Sequence, residues 1–211
     1  MTVCLQLDHV NYSYGAAKIR VLSDVNADFE FGKMYAITGP SGAGKSTLLS
    51  LLAGLDAPSD GVVRFEGEDI VTTGYSRHRR EHVSLVFQDH NLIDYLTPEE
   101  NLRLVNPKAD MKILEDLGLS REESKRNIMH LSGGQRQRVA VGRALVAPGR
   151  AILADEPTGS LDPEMTDEVI DLLRQAAHQL GKCVIVVTHS KRVADSADAV
   201  YTLRRKKLAK A

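Results

Sequence analysis

The chain is short of cysteine, of net charge and of long apolar runs, and each shortage excludes a class of protein. Its two cysteines, Cys4 and Cys183, both sit inside apolar stretches. They read as buried free thiols in a reducing compartment, not as a disulfide framework. The formal net charge is −1. That near-balance removes the bulk attraction a DNA- or RNA-binding protein relies on, so no nucleic-acid partner is expected. No run approaches the length needed to span a bilayer, and no signal-peptide pattern opens the sequence. Any membrane role is therefore expected to come through a partner. Internal repeats, low-complexity tracts and flexible linkers are also lacking.

What remains is an ordinary globular composition: 211 residues, 43% hydrophobic and 26% charged. This length supports a sizeable core. Residues 1–211 are expected to form one domain, with an inserted helical subdomain over about 89–130.

The chain is organised around residues 34 to 53. Tyr35 to Ile37 reads as a buried strand, and a helical apolar pattern starts at Leu48. Between them stands Gly39-x-x-x-x-Gly44-Lys45-Ser46. The pattern runs Gly39, Pro40, Ser41, Gly42, Ala43, Gly44, Lys45, Ser46, Thr47. Its glycines allow a tight backbone whose N–H groups converge on an anion. The helix start adds unpaired N–H groups and a favourable dipole. In this pattern Lys45 reaches the β- and γ-phosphates, and the Ser46 hydroxyl holds Mg²⁺.

Before this loop, Val3 to Leu7 continues as a strand toward Tyr12 and Tyr14, and Val21 to Phe31 carries a second strand. They predict an antiparallel sheet leaning on the nucleotide site. Tyr14 either stacks on an adenine ring or is a plain surface tyrosine. After the loop, Val62 to Phe65 is a strand, and Gly67 to Ile70 opens a loop toward the basic stretch Arg77 to Arg80, read as a solvated helix face. Val83 to Phe87 is another strand, ending at Gln88.

From Asn91 to Met129 the pattern becomes helical. Thr97-Pro98-Glu99-Glu100 is an N-cap with proline at the first helical position. Leu92, Ile93, Tyr95 and Leu96 crowd apolar side chains and predict an exposed patch for a partner helix, or else packing of the subdomain. Ser132-Gly133-Gly134-Gln135 opens a long helix to Val146, a second anion-binding helix start. Ala151 to Ala154 is a strand ending in Asp155-Glu156. Pro163 starts a helix to Leu180, Cys183 to Thr188 is a buried strand ending at His189, and Val200 to Leu203 precedes a basic solvated tail.

Several apolar strands thus end in a polar residue. In a parallel α/β sheet such ends meet the ligand. Asp155 is placed to bind Mg²⁺ directly or through water, and Glu156 to polarise an attacking water, the alternative being helix capping near Pro157. His189 and Gln88 either reach the phosphate, metal or water, or are structural.

Leu131-Ser-Gly-Gly-Gln-Arg-Gln-Arg-Val139 resembles the signature motif of ATP-binding-cassette ATPases, and the other motifs fall in that family's order across nearly the whole chain. The resemblance implies an α/β fold. Its parts are a P-loop NTPase core with a mostly parallel sheet, an N-terminal antiparallel β-subdomain and an inserted α-helical subdomain. It implies Tyr14 as the adenine-stacking aromatic, Gln88 as a metal-contacting glutamine, Asp155 as metal ligand, Glu156 as catalytic base and His189 as the switch histidine. It implies a homodimer in the ATP state, with Ser132, Gly133, Gly134, Gln135 and Asp162 serving the partner's ATP. Phe87 to Leu102 resembles the ATPases that power separate permeases in lipoprotein release, macrolide export, antimicrobial-peptide resistance and haem efflux. That implies a peripheral place on the cytoplasmic face of the membrane. The alternative is a mechanical ATPase that regulates cell-wall enzymes through a permease-like partner. Two features depart from the pattern: Ser190 follows His189 where an acid or amide is commoner, and Arg204 to Lys207 replaces a glycine-containing turn. The chain is expected to carry no added regulatory domain.

Overall fold

Two sheets share the work of burying one helix. The computed structural model describes residues 2–15 and 18–211. The chain opens with β1 (Val3–Tyr14) and β2 (Ile19–Glu30), then β3 (Met34–Thr38) and α1 (Lys45–Leu52). Next come β4 (Asp60–Phe65), β5 (Glu68–Asp69), α2 (Ile70–Thr73), α3 (Tyr75–Arg77), a π-turn over His78–His82, and β6 (Val83–Val86). A helical stretch follows: α4 (Pro98–Val105), α5 (Lys112–Asp116), α6 (Arg121–Ser124) and a 3₁₀ turn over Ile128–His130. The rest is α7 (Gly133–Val146), β7 (Ala151–Asp155), α8 (Pro163–His178), β8 (Cys183–Val187), α9 (Lys191–Asp195), β9 (Ala199–Arg204) and β10 (Lys207–Lys210).

The first sheet is antiparallel, in the order β2-β1-β4-β5. The second has the order β10-β9-β3-β8-β7-β6, parallel except for its closing β9–β10 hairpin. This is the expected fold class. Side chains on a strand alternate faces, so strands buried on both sides feed two cores. Tyr35, Ile37, Leu153 and Ile185 face the core shared with α1 and the antiparallel sheet. Met34, Ile152, Ala154, Val184 and Val186 face the other core, with α7, α8 and the helical stretch. The arrangement pins β3 and α1 between layers and leaves the carboxyl ends of the parallel strands at one edge.

Four expectations change. The helix after the glycine loop starts at Lys45, three residues before the apolar signal at Leu48. Lys45, Ser46 and Thr47 are polar because they serve the site, so they do not show in the periodicity. Residues 68–73 are not loop: β5 pairs with β4, and Asp69 caps α2 by accepting from the Val71 N–H at 2.8 Å. The basic end is not a tail but β10, paired in register with β9. Of the four apolar residues 92, 93, 95 and 96, only Tyr95 is strongly exposed, at 79%. Leu92 packs against the second core instead.

Thr97 behaves as expected. Its hydroxyl accepts from the Glu100 N–H, and the Glu100 carboxylate accepts from the Thr97 N–H, a complete capping box with Pro98 at the first helical position.

Candidate active site

The glycine loop is shaped by contacts that exclude a side chain. Gly44 has φ 100°, and a Cβ there would lie 2.5 Å from Val21 Cγ1. Gly39 has φ 151°, and a Cβ there would collide with the Leu203 carbonyl of β9. The loop closes on itself through the Ala43 N–H to the Pro40 carbonyl, 3.2 Å. No side chain caps α1. Its first N–H groups are therefore left for a ligand, the arrangement that binds anions.

Lys45 is 7% exposed and folds its ammonium back over the loop. It donates to the carbonyls of Gly39 (3.1 Å) and Pro40 (3.2 Å) and to His189 Nε2 (3.1 Å). An ammonium has only protons to give. His189 must therefore accept through Nε2 and keep its own proton on Nδ1. A phosphate oxygen entering the loop competes with these neutral acceptors and, being charged, makes the stronger bond.

β7 and β8 pair so that Asp155 lies opposite Val187. Asp155-Glu156 and Thr188-His189 therefore leave the sheet side by side. Glu156 takes a left-handed conformation, φ 48°. Its N–H donates to the Val187 carbonyl (2.9 Å), and its carbonyl accepts from the Gly159 N–H (3.1 Å). Its carboxylate accepts at Oε2 from the Thr188 hydroxyl and the His189 N–H, both 3.2 Å. Oε1 is buried, has no hydrogen-bond partner among the described residues and lies 3.7 Å from His189 Nε2. One carboxylate oxygen fixes the group, and the other is free to act.

These groups border an open cleft of about 430 Å³, lined by Ser41, Gly42, Lys45, Ser46, Gln88, Asp155, Glu156, Gly159, Ser160 and His189. Lys45, Ser46, Gln88, Asp155, Glu156 and His189 thus come together from four strand ends, as their positions in the sequence led us to expect. Ser46, Gln88 and Asp155 offer hard oxygen donors to one space. Mg²⁺ keeps several waters and binds through one or two protein oxygens plus substrate phosphates. No group of three or more His, Cys, Asp or Glu is placed to hold a metal among the described residues. One carboxylate, one hydroxyl and one amide oxygen suit a shell that phosphate and water complete, so the donors fit this ion.

Tyr14 lies outside the cleft lining. Its hydroxyl bonds Thr47 Oγ1 at 2.9 Å, at the start of α1. Tyr12 meets its ring edge-on, with centroids 4.8 Å apart, and Tyr14 stays 48% exposed. It therefore holds an aromatic surface beside the glycine loop. Ser132, Gly133, Gly134, Gln135 and Asp162 are likewise absent from the cleft lining. Ser132 caps α7: its hydroxyl accepts from the Gln135 N–H, and the Gln135 side chain accepts from the Ser132 N–H. A Cβ on Gly134 would lie 3.4 Å from the carbonyl of Ser160, so this helix start abuts the cleft rim. Asp162 caps α8, accepting from the Met165 N–H at 2.9 Å.

Thr188 was missed by the sequence analysis. It is fully buried and orients Glu156. The available signal was a hydroxyl closing the otherwise apolar run Cys183 to Val187.

A phosphate-binding loop, a paired acid and a histidine at the carboxyl edge of a parallel sheet define a P-loop nucleotide hydrolase. The sequence pattern of the ABC transporter family matches residues 22–159. The chain belongs to that family, as one of its ATP-binding, ATP-hydrolysing domains. It is 37% identical to the uncharacterized ABC transporter ATP-binding protein YclH of Bacillus subtilis (strain 168), over 95% of this chain and 93% of that one. It is 38% identical to the macrolide export ATP-binding/permease protein MacB of Escherichia coli (strain K12). That match spans 97% of this chain but only 34% of MacB. Among solved structures, the dimeric bacterial ABC transporter cassette MJ0796 superposes with a TM-score of 0.90 at 32% identity, covering 98% of both chains. A dimeric post-hydrolysis state of MJ0796 bound to ADP and Pi superposes at 0.88.

Proposed function

We propose that residues 1–211 work as one cassette that powers a separate membrane permease by ATP-driven dimerisation. Its place is the cytoplasmic face of the membrane, reached through that permease. No helix among the described residues is long and apolar enough to cross a bilayer. The kinship with MacB supports an exporter. The cargo class is a toxic amphiphile such as a drug, haem or antimicrobial peptide, or a lipoprotein.

In this reading the glycine loop and Lys45 hold the β- and γ-phosphates, and Tyr14 stacks on the adenine. Ser46, Gln88 and Asp155 hold Mg²⁺, which neutralises developing phosphate charge when bound. Glu156 Oε1 accepts a proton from the attacking water, while Thr188 and the His189 N–H keep Oε2 in place. His189 Nε2, released when Lys45 turns to phosphate, is 3.7 Å from Glu156 Oε1 and can share the water. Ser132, Gly133, Gly134, Gln135 and Asp162 serve the ATP of a second copy. The dimeric MJ0796 cassette, alike over nearly the whole chain, supports that arrangement.

The single observation that carries the hydrolytic role is the unpartnered buried Oε1 of Glu156. Glu156→Gln should bind ATP but lose about 10²–10⁴-fold in turnover, the usual worth of a general base. Size-exclusion of this variant with and without ATP is expected to show an ATP-dependent dimer. Near-normal turnover would remove Glu156 from the mechanism. Ser132→Arg should block hydrolysis with monomer ATP binding intact, and mixing it with a Lys45→Ala chain should restore one composite site. Lost ATP binding in the isolated Ser132→Arg chain would contradict a role in trans.

A further inference from the structure

Tyr12 and Tyr14 stand two residues apart on β1, so alternation puts both side chains on one face. Their rings are perpendicular, at 87°, with centroids 4.8 Å apart. A perpendicular neighbour supports a ring and covers at most one of its flat faces, leaving the other open to a ligand. The two differ in burial: Tyr12 is 6% exposed, whereas Tyr14 is open to solvent. The pairing register of β1 with β2 shifts between Tyr12 and Ser13. Such irregularities re-aim side chains beside functional sites.

The Tyr12 hydroxyl donates to Asp56 Oδ2, in the loop between α1 and β4. That bond and burial both raise the pKa of the phenol, so it keeps the proton it donates. The second carboxylate oxygen, Oδ1, accepts from the Ala57 N–H at 2.8 Å, which fixes the acceptor too. The same loop is stitched to β1 on either side of Tyr12. The Ser59 N–H donates to the Asn11 carbonyl at 2.8 Å, and the Ser13 N–H donates to Ser59 Oγ at 3.0 Å. Its root on α1 is equally firm, with the Leu55 N–H donating to the Ser50 carbonyl at 2.9 Å.

The two ends of α1 therefore both reach Tyr14. Thr47, in the first turn, bonds the Tyr14 hydroxyl at 2.9 Å. Beyond the last turn, Asp56 holds Tyr12, and Tyr12 packs against the Tyr14 ring. Neither Tyr12 nor Asp56 lines the cleft, so any effect they have on nucleotide passes through Tyr14.

We propose that Tyr12 and Asp56 are positioning residues for the nucleobase: their bond, anchored just beyond α1, fixes the Tyr14 ring relative to the phosphate loop at the start of the same helix. This rests on the reading of Tyr14 as the adenine platform. A platform ordered in advance favours binding of anything that carries a base and is neutral toward phosphate alone.

Calorimetric titration of the full chain in Mg²⁺ tests it with two probes. ADP carries the base and has no γ-phosphate to hydrolyse. Inorganic tripolyphosphate fills the glycine loop without a base. Tyr14→Ala should weaken ADP by about fivefold to 150-fold, the worth of one stacked base, and spare tripolyphosphate. Tyr12→Phe and Asp56→Ala should each weaken ADP by about threefold to tenfold, the worth of one hydrogen bond, and again spare tripolyphosphate. Both break the same bond, so the double variant should lose no more than either alone. On a Tyr14→Ala background neither should weaken ADP further, because no ring is left to position.

Native ADP affinity in both Tyr12→Phe and Asp56→Ala overturns the proposal. So does an equal loss of ADP and tripolyphosphate in both, the mark of a merely structural bond. An ADP affinity untouched by Tyr14→Ala would instead remove the stacking reading, and the proposal with it. Should Tyr12→Phe lose tripolyphosphate, its fold is damaged, and Asp56→Ala decides, since Asp56 is exposed and its replacement opens no cavity.

Discussion

Glu156 carries both backbone strain and the proposed role of general base. A left-handed φ costs a residue with a side chain about 1–2 kcal/mol. Here it is held by two backbone bonds and by Thr188 and His189 on one carboxylate oxygen. These bonds fix Oε2 and leave Oε1 3.7 Å from His189 Nε2. Thr188→Val removes one donor to a charged group, worth about 1.5–3 kcal/mol. If that energy orients the carboxylate, turnover should fall roughly tenfold to a hundredfold with ATP affinity unchanged. Equal turnover would assign Thr188 to packing alone. Tyr14 offers a cleaner separation of ring from hydroxyl. Tyr14→Ala should weaken ATP binding by about 1–3 kcal/mol, the worth of one base stacked on an aromatic ring. Tyr14→Phe loses only the bond to Thr47 and should cost less than about 1 kcal/mol. Calorimetric titration of both variants decides; equal losses would mean the hydroxyl, not the ring, does the binding. Residues of this kind differ in how far the sequence reveals them. Lys45, Asp155 and Glu156 were legible because local spacing fixes their geometry. Thr188 was not, since its partner is 32 residues away in sequence. Arg143, whose guanidinium donates to the carbonyls of His90 and Asn91, was equally hidden, looking like one more arginine on a polar helix face.

At the scale of elements, strands buried on both faces were the easiest to read, because continuous apolar runs such as Ala151 to Ala154 admit few alternatives. β10 was unreadable for the opposite reason. Lys207, Ala209 and Lys210 stay exposed, only Leu208 packs against the core, and a single apolar residue leaves no periodicity. The turn before it was equally deceptive. Arg205 (φ 50°) and Lys206 (φ 68°) both take left-handed backbone, the geometry of a two-residue hairpin turn that normally selects asparagine and glycine. Register here is set by pairing with β9 and by the Ser23 N–H bonding the Lys206 carbonyl at 2.9 Å, not by turn propensity. Replacing Arg205-Lys206 with Asn-Gly should therefore relieve about 1–2 kcal/mol of strain. For a chain of this size that corresponds to a melting temperature higher by some 2–8 °C, since each kcal/mol shifts it by about 2–4 °C. Turnover should not change, as neither residue lines the cleft. A melting temperature that falls would show that the two basic side chains make contacts outweighing the strain.

At the scale of the whole molecule, coupling to the proposed permease would pass through a surface next to Gln88. The helical segment after Gln88 was expected to present Leu92, Ile93, Tyr95 and Leu96 to a partner. The structure reduces that patch to Tyr95 and adds another exposed pair on α4, Leu104 at 60% and Val105 at 38%. Leu104 and Val105 line a groove of about 400 Å³ with Arg79, Arg80, Phe87, Asn91 and Arg143. The groove therefore contains both flanks of Gln88, Phe87 and Asn91, together with Arg143, which donates to the carbonyls of His90 and Asn91. An amphipathic helix of the proposed permease, apolar toward α4 and acidic toward Arg79 and Arg80, would fit its chemistry and feel each change at Gln88. Leu104→Asp tests this, because surface substitutions cost the fold within about 0.5 kcal/mol. A carboxylate facing an apolar contact should weaken association by at least 2 kcal/mol, about thirtyfold. Tyr95→Ala should weaken it too, by losing an exposed aromatic anchor. Both variants should keep ATP binding and the native melting temperature while losing permease on co-purification and the permease's effect on hydrolysis. Undiminished co-purification of both would remove this face as the docking surface. A large drop in melting temperature for either would instead place that side chain in the core, against its exposure in the folded chain.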